Sequence, residues 1–512
     1  MLKDGRQLAP PDRPTRSDVV ICGGGTVGLL LARTLADAGK HVIVVEAGGP
    51  VSTMDFNADM GVAGGRDHLG YLAGRGAGLG GTSAYWGGQL AEFNREDFAA
   101  WPIDLDEVAP WYAKAYDLLG VPRPKALAEM QQLIGSEVAD PNASVERFFT
   151  LWLDQPNLAT MLSTYVRKHQ RMEIVLNSRV TGWEFEGSRM TGVTVAVGDA
   201  SWTIAADAVV LACGTIENTR IMLNTAQRAA TPWHGNPRIG RAFQDHLGGK
   251  IARVEVLDER KLRDTFENGR IAGSRFQPKL RFSHAHGRPD GLGMAGMLSY
   301  ESNVSENLSN LKRTARAIMH GTQFSGLATL PRDVLAVGRA FVPLTMRYLR
   351  DRRVMAMWDR SIDYSVQAEQ RPIADSRIML TDGPTDRYGW AKASICWKVD
   401  GVEVCAIRNF AIASDTYLQQ RGIARLVPAP ALLDGDPAFL DTLVDTYHQA
   451  GGLCMSARAE DGVVDQNCRV WEVDNLYVVG AAVFPSSSHA NVTFTALALA
   501  VRLGEHLSRE VR

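Results

Sequence analysis

Residues 17–49, SDVVICGGGTVGLLLARTLADAGKHVIVVEAGG, run a β-branched apolar segment into a glycine-rich turn, then a helix-period stretch and a second apolar segment that ends at Glu46. That succession demands a βαβ unit with two parallel strands joined by a crossover helix. Gly23 permits the tight turn, Gly25 lets backbone approach a pyrophosphate at the helix start beside Thr26 and Val27, and Gly28 lets helix and strand pack closely. Glu46 follows Gly28 by 18 residues, a spacing that suits a ribose hydroxyl. The unit reads as a dinucleotide site, and by itself it does not distinguish FAD from NAD.

From Arg75 the chain, RGAGLGGTSAYWGGQL, is too glycine-dense for regular structure before it becomes an amphipathic helix. Tyr85, Trp86 and Trp101 among or just after those glycines suggest backbone wrapped around a flat ligand rather than a surface loop. Strand periodicity returns at 172, and AADAVVLACGTIENTRIMLNT from Ala205 reads as another strand and crossover of the first sheet. The expected fold class is therefore α/β with two domains. A flexible lead over 1–16 precedes a discontinuous dinucleotide domain of 17–100, 172–250 and 448–512, and 101–171 and 251–447 form a domain laid over the cofactor to bind substrate.

With 512 residues, 45% of them hydrophobic, the chain can bury a large core, and a net charge of -2 gives no reason to expect a nucleic-acid partner. The first residues lack an apolar signal-like run, and no apolar stretch reaches the roughly 18 residues of a membrane span, so a cytoplasmic protein is expected. Six cysteines without CxxC pairs read as reduced thiols. His284 and His286 lie in a Gly, Pro and Asp loop without further ligands, so no metal is expected there. Residues 311–353 carry nine Lys or Arg against two acids, interleaved with apolar side chains. A solvated helical face, a partner contact and membrane-surface docking are all open for that segment.

In order, the chain carries ICGGGTVG, GLGGTSAYWGG, VVLACGTIENTRIML, IGRAFQDHL, EQRPIADSRIML, HQAGGLCM and NLYVVGAAVFPSSSHANVTFTALALA. Together these resemble the glucose-methanol-choline oxidoreductases along nearly the whole length, and most of all the branch of pyranose oxidase and bacterial sugar and glycoside dehydrogenases. The resemblance implies a Rossmann-like FAD-binding domain plus a substrate domain with a sheet backed by helices. It makes His448 the catalytic histidine and Asn491 its partner across the substrate oxygen, both at the flavin N5 edge. The FAD contacts it implies are Gly23, Gly25, Thr26, Val27, Gly28 and Glu46, then Arg75, Gly80, Gly81, Thr82, Ser83, Trp86, Gly87 and Gly88. Val180, Ala212, Gly480, Ala481, Val492 and Thr493 complete that set. Asp245 and His246 fall in a motif that closes the FAD domain, a structural role.

There are three departures from the family pattern. Val492 replaces a proline after the asparagine, which removes a fixed φ at the helix start. Tyr85 stands where pyranose oxidase has a flavin-linking histidine, so non-covalent FAD is expected. Gly480, Ala481 and Ala482 occupy a strand that usually carries Asp or Ser, leaving backbone amides to meet the cofactor.

Oxidising an alcohol removes a proton from oxygen and a hydride from carbon. A histidine titrating near neutrality suits the first task and flavin the second. Asn491 would orient the oxygen, with His489 the competing candidate for that contact, and the helix beginning at 492 would aim its positive end at the flavin. The substrate expected is a hydroxyl of a sugar, glycoside or related polyol. An alicyclic or sterol alcohol is the alternative, and a desaturase, an isomerase or a non-catalytic flavoprotein a more distant one. Oxygen, a quinone or a carrier protein could each reoxidise the flavin.

Overall fold

A computed structural model describes residues 1–55, 61–122, 142–228, 231–271, 274–302 and 343–511, with single positions at 307, 310 and 338. Its first sheet grows from the βαβ unit. Strands Arg16–Cys22 and Val42–Val45 pair in parallel on either side of the crossover helix Thr26–Asp37, and Met172–Leu176 and Ala200–Leu211 flank them, also parallel. All four residues of Val42–Val45 are buried, because a parallel sheet is covered on both faces. The long strand Ala200–Leu211 pairs antiparallel with Arg189–Val197 through its first half and parallel with Leu476–Val478 through its second. Segments far apart in sequence thus close one sheet. The C-terminal helix Val492–Glu510 packs on Thr26–Asp37, where a Cβ at Gly504 would lie 2.7 Å from the Thr34 side chain, so only glycine allows this approach.

Residues 1–16, expected as a flexible lead, instead supply an edge strand: Leu2–Asp4 pairs in parallel with Met172–Leu176. Three residues are too few to display a period, so the strand is set by its partner's free backbone groups rather than by its own pattern.

The second sheet orders Ala424–Pro428, Leu247–Val256, Ser361–Ala368, Met294–Glu301, Ser274–Phe282, Val145–Trp152 and Gln89–Leu90, each antiparallel to its neighbour. Helix Val402–Gln420 backs one face, with Tyr364, Phe410 and Leu280 in a core of their own. The packing cuts across the expected domain boundaries. Helix Leu105–Leu119, expected with the substrate domain, sets Tyr112 and Tyr116 against Phe494 of the C-terminal helix, while Gln89–Leu90, expected with the cofactor domain, edges the second sheet. An amphipathic period says that a face is buried but not against which core.

Among the described residues no helix is long and apolar enough to cross a membrane. Within the basic segment, Lys312, Arg313, Arg316, Arg332 and Arg339 lie outside the described residues. Arg347 pairs with Glu267 and Asp264, each at 2.8 Å, and Arg353 donates to the carbonyls of the same two residues, so these two basic groups bind the protein itself. His284 and His286 are exposed, and His284 lies 3.2 Å from Glu96.

Candidate active site

A cavity opens at the ends of the first sheet. Of the residues assigned to the cofactor, Gly23, Gly25, Thr26, Val27, Glu46, Arg75, Gly81, Thr82, Val180, Ala212, Gly480, Ala481, Val492 and Thr493 line it. Gly28 lies behind, where a Cβ would sit 2.1 Å from the Gly23 carbonyl oxygen. Gly80, Ser83, Trp86, Gly87 and Gly88 do not line this cavity. Ser83 donates to the Gly80 carbonyl at 2.6 Å and Trp86 Nε1 to the Pro156 carbonyl at 2.8 Å. A Cβ at Gly87 would meet Trp152 at 2.7 Å, and one at Gly88 would meet Pro156 at 2.8 Å, so this stretch holds the loop in shape against its neighbours.

Glu46 does more than a ribose contact would ask. Its carboxylate accepts the Gly24 N–H at 2.7 Å, Gly48 at 2.8 Å and Gly78 at 2.9 Å, tying the first glycine turn to the 74–81 loop. Arg179 and Glu217, the latter within the TIENTR motif, form a further wall that the sequence does not assign to the cofactor. Arg179 lies 3.0 Å and Arg75 3.8 Å from Glu217. Burial alone would raise the Glu217 carboxyl, but Arg220, Arg179 and Arg75 outweigh it and hold it at about 2.

These residues fit a dinucleotide. Helix Thr26–Asp37 starts at Gly25 and helix Val492–Glu510 at Asn491, neither with a side-chain cap, and the first residues of both line the cavity. Two sets of unsatisfied helix N–H groups, each with the positive end of a helix dipole, therefore border one space. Arg75 and Arg179 add positive charge beside it. Val492 begins the last helix without the family's proline. Tyr85 donates its hydroxyl to the Ser52 carbonyl at 2.5 Å, which occupies the phenol.

The candidate catalytic corner adjoins this cavity at Tyr447 and Gln449. Asn491 leaves its helix uncapped and places its amide Nδ2 2.9 Å from His448 Nε2. On the other side of the ring, His448 Nδ1 lies 2.7 Å from Thr446 Oγ1 and 3.1 Å from His246 Nδ1. His246 Nε2 is 3.2 Å from the Ser487 carbonyl, which can only accept, so His246 carries its proton on Nε2 and leaves Nδ1 bare. His448 then carries its proton on Nδ1, and its Nε2 lone pair accepts from Asn491. The network thus assigns the tautomer in which Nε2 of His448 is the free base.

The backbone at this corner is held under strain. Tyr447 is left-handed at φ 65, and Asp245 Oδ1 spans it by accepting the N–H of Thr446 at 3.2 Å and of His448 at 2.9 Å. Asp245 also takes the His246 N–H at 2.8 Å, and its second oxygen lies 3.1 Å from His68 Nε2. His68 Nδ1 accepts the Tyr71 N–H, so Nε2 donates. Burial would raise Asp245, and its contact with His68 more than reverses this.

His448, expected to titrate near neutrality, is instead pushed down to about 3, first by burial and then by the neighbouring His246. Burial also lowers His246. His489 is buried and makes no hydrogen bond to His448. Its Nδ1 is 3.4 Å from Ser488 Oγ and 3.9 Å from Asp97, its ring meets Phe148 edge-on with centroids 5.5 Å apart, and its Nε2 has no partner among the described residues. Asn491, not His489, is therefore the side chain that meets the His448 lone pair.

A family model described as GMC oxidoreductase matches residues 372–500, spanning this corner, and one described as FAD binding domain matches residues 18–244, spanning the cradle. The chain belongs to the GMC oxidoreductase family. This GMC protein is 24% identical over 407 residues to 2-methyl-1,2-propanediol dehydrogenase of Mycolicibacterium austroafricanum, covering 78% of the chain and 64% of that relative. It is 26% identical over 297 residues to the oxygen-dependent choline dehydrogenase of Pseudomonas savastanoi pv. phaseolicola, covering 45% of the chain and 52% of that relative. The matches thus span between half and two thirds of these curated relatives. Pyridoxine 4-oxidase from Mesorbium loti shares the fold with TM-score 0.55 at 17% identity, covering 96% of the chain and 99% of that structure. Formate oxidase does so with TM-score 0.58 at 16% identity, covering 97% and 99%.

Proposed function

We propose that this GMC oxidoreductase oxidises a hydroxyl group to a carbonyl on a sugar, glycoside or related polyol, with His448 as general base and Asn491 as the group that positions the oxygen. The observation that carries the reading is the lone pair of His448 Nε2, turned to the Asn491 amide at the start of the helix that borders the cofactor cavity. Bound FAD, held non-covalently, supplies the acceptor for the hydride.

An alcohol oxygen placed between the two side chains would give its proton to Nε2 and accept a hydrogen bond from Nδ2, which stabilises alkoxide character as it develops. Protonation leaves His448 positive in a buried place. Asp245, whose charge acts to raise His448, steadies that imidazolium. The relatives named for a propanediol and for choline act on small alcohols, which supports the reaction class more than the sugar assignment.

The test is the visible spectrum of the flavin-loaded protein under anaerobic conditions as sugars, glycosides, polyols and simple diols are added. Bleaching of the oxidised band by a sugar or glycoside is expected. A yellow protein that no alcohol bleaches would defeat the proposal.

A further inference from the structure

The mechanism leaves one buried cation unused. Lys279 is 3% exposed, and among the described residues its Nζ has one acceptor, Gln89 Oε1 at 3.0 Å, with burial the one influence on its charge and no carboxylate pairing with it. Gln89 is already committed, donating to Thr150 Oγ1 at 2.8 Å and to Gln277 Oε1 at 2.6 Å. An ammonium carries three N–H donors, so among the described residues two are unfilled; Gln89, Thr150 and Gln277 beside it are neutral, and Arg281 and Glu146, two positions along, pair with each other. Burying an unpaired charge is costly, and proteins retain such groups where a ligand completes them.

Its place in the sheet says what that ligand would be near. Lys279 is paired across strands with Phe148, so the two side chains share a face, and Phe148 is the ring that meets His489. The register Leu280–Gly296 puts Ala295 on the same face, and Ala295 pairs with Gln367, whose amide donates to the His489 carbonyl at 2.7 Å. Lys279 thus lies on the strands between two residues that grip the loop leading into Asn491. Its charge is felt at His448, His246 and His489, helping to keep all three imidazoles unprotonated. Burial lowers Lys279 itself to about 8, which leaves it largely charged at neutral pH.

We infer that Lys279 is a specificity-determining residue that receives a carboxylate of the substrate, so that the alcohol oxidised at His448 is a hydroxy acid of the sugar-acid or uronide class. This rests on the alcohol-oxidising reading above. A neutral hydroxyl could accept a hydrogen bond from Nζ but could not neutralise it, whereas a carboxylate does both. A quaternary-ammonium alcohol would be repelled.

The experiment uses the flavin-loaded full chain and matched pairs of alcohols: glucose with gluconate, and methyl glucoside with methyl glucuronide. Flavin reduction is followed anaerobically against concentration. The carboxylate member should have kcat/KM higher by roughly 10- to 100-fold, the range for a hydrogen bond to a charged group, mostly through KM. That ratio should collapse toward one in Lys279→Met and Lys279→Gln. Equal or better reduction by the neutral members of the wild-type protein would overturn the Lys279 assignment alone and leave alcohol oxidation standing. The ranking in the wild type decides this even if neither variant folds. A ratio that persists in the variants would also overturn the assignment. If no alcohol, charged or neutral, bleaches the flavin, the oxidation reading falls and this inference falls with it.

Discussion

The two sheets make their halves of the site by opposite means. In the parallel sheet, Val19–Cys22 and Val42–Val45 bury their side chains on both faces, and the cofactor cavity forms at the strand ends from glycine backbone and two uncapped helix starts. The antiparallel sheet works through a face. Along Ser274–Phe282 and Ser361–Ala368, Leu280, Tyr364 and Val366 go to a core, while Gln277, Lys279 and Gln367 point the other way and carry hydrogen bonds. A site built from backbone tolerates little change in its chain, whereas one built from a side-chain face can be altered one residue at a time.

The largest effect that contrast predicts is at Gly28. A valine there drives its Cβ into the Gly23 carbonyl, 2.1 Å away, so Gly28→Val should yield protein without flavin, read as the ratio of visible to ultraviolet absorbance. Flavin retained at the normal ratio would break the comparison. Next, His448→Ala should keep its flavin and lose about 10² to 10⁴ in the anaerobic reduction rate, the worth of a placed general base. Asn491→Ala should lose less, roughly 10²-fold, as for one donor to a developing oxyanion. Reversal of that order would exchange their roles.

His246→Gln tests the imidazole relay. His246 helps depress His448, so its removal should raise His448 from about 3, while burial, the larger cause, still holds it below 6.5, and the acid limb of kcat/KM should move to higher pH than in the wild type. Unchanged profiles would show that the relay does not govern His448.

The smallest effect is on stability. His246, His448 and His489 all have folded values below the ordinary 6.5, so below that pH the unfolded chain binds protons that the folded chain refuses. Their contribution is complete above about pH 6.5 and is lost as pH falls. Glu369, raised to about 7 first by burial and then by Asp97, acts the other way, since its folded form binds a proton that the unfolded form releases above its ordinary value. His506, also lowered, joins the imidazoles, and Glu46, Glu92 and Glu403, also raised by burial, act with Glu369, so the imidazole share is read by difference: going from pH 7 to pH 5, His489→Phe should lose less Tm than the wild type. Equal changes in the two proteins would contradict a neutral His489.

What the sequence made legible was local. The glycine turn and the runs VVIC and VIVV state their structure within a few residues, and His448 and Asn491 stand in motifs whose family likeness survives in a short string. The relay between His246 and His448 joins positions 202 apart and exists only once two loops meet, so neither position announces it. Lys279 was equally silent. A lysine alternating with apolar residues in RFQPKLRF looks like the wet side of any strand, and only the layer above it makes that side dry. The edge strand Leu2–Asp4 was hidden for a different reason, because its pairing is dictated by a distant partner, Leu2 lying opposite Ile174.

The pairing of Ala200–Leu211 with Leu476–Val478 has a consequence for biosynthesis. A chain emerging from the ribosome can form the βαβ turn early, but the cavity lacks Val479, Gly480, Ala481, Val492 and Thr493 until those residues have been made and have emerged. The full set of cofactor contacts therefore arises late in synthesis, well after the fingerprint itself. A nascent or prematurely terminated polypeptide would own the nucleotide fingerprint without a working redox centre, so abortive products could not reduce cellular oxidants out of turn.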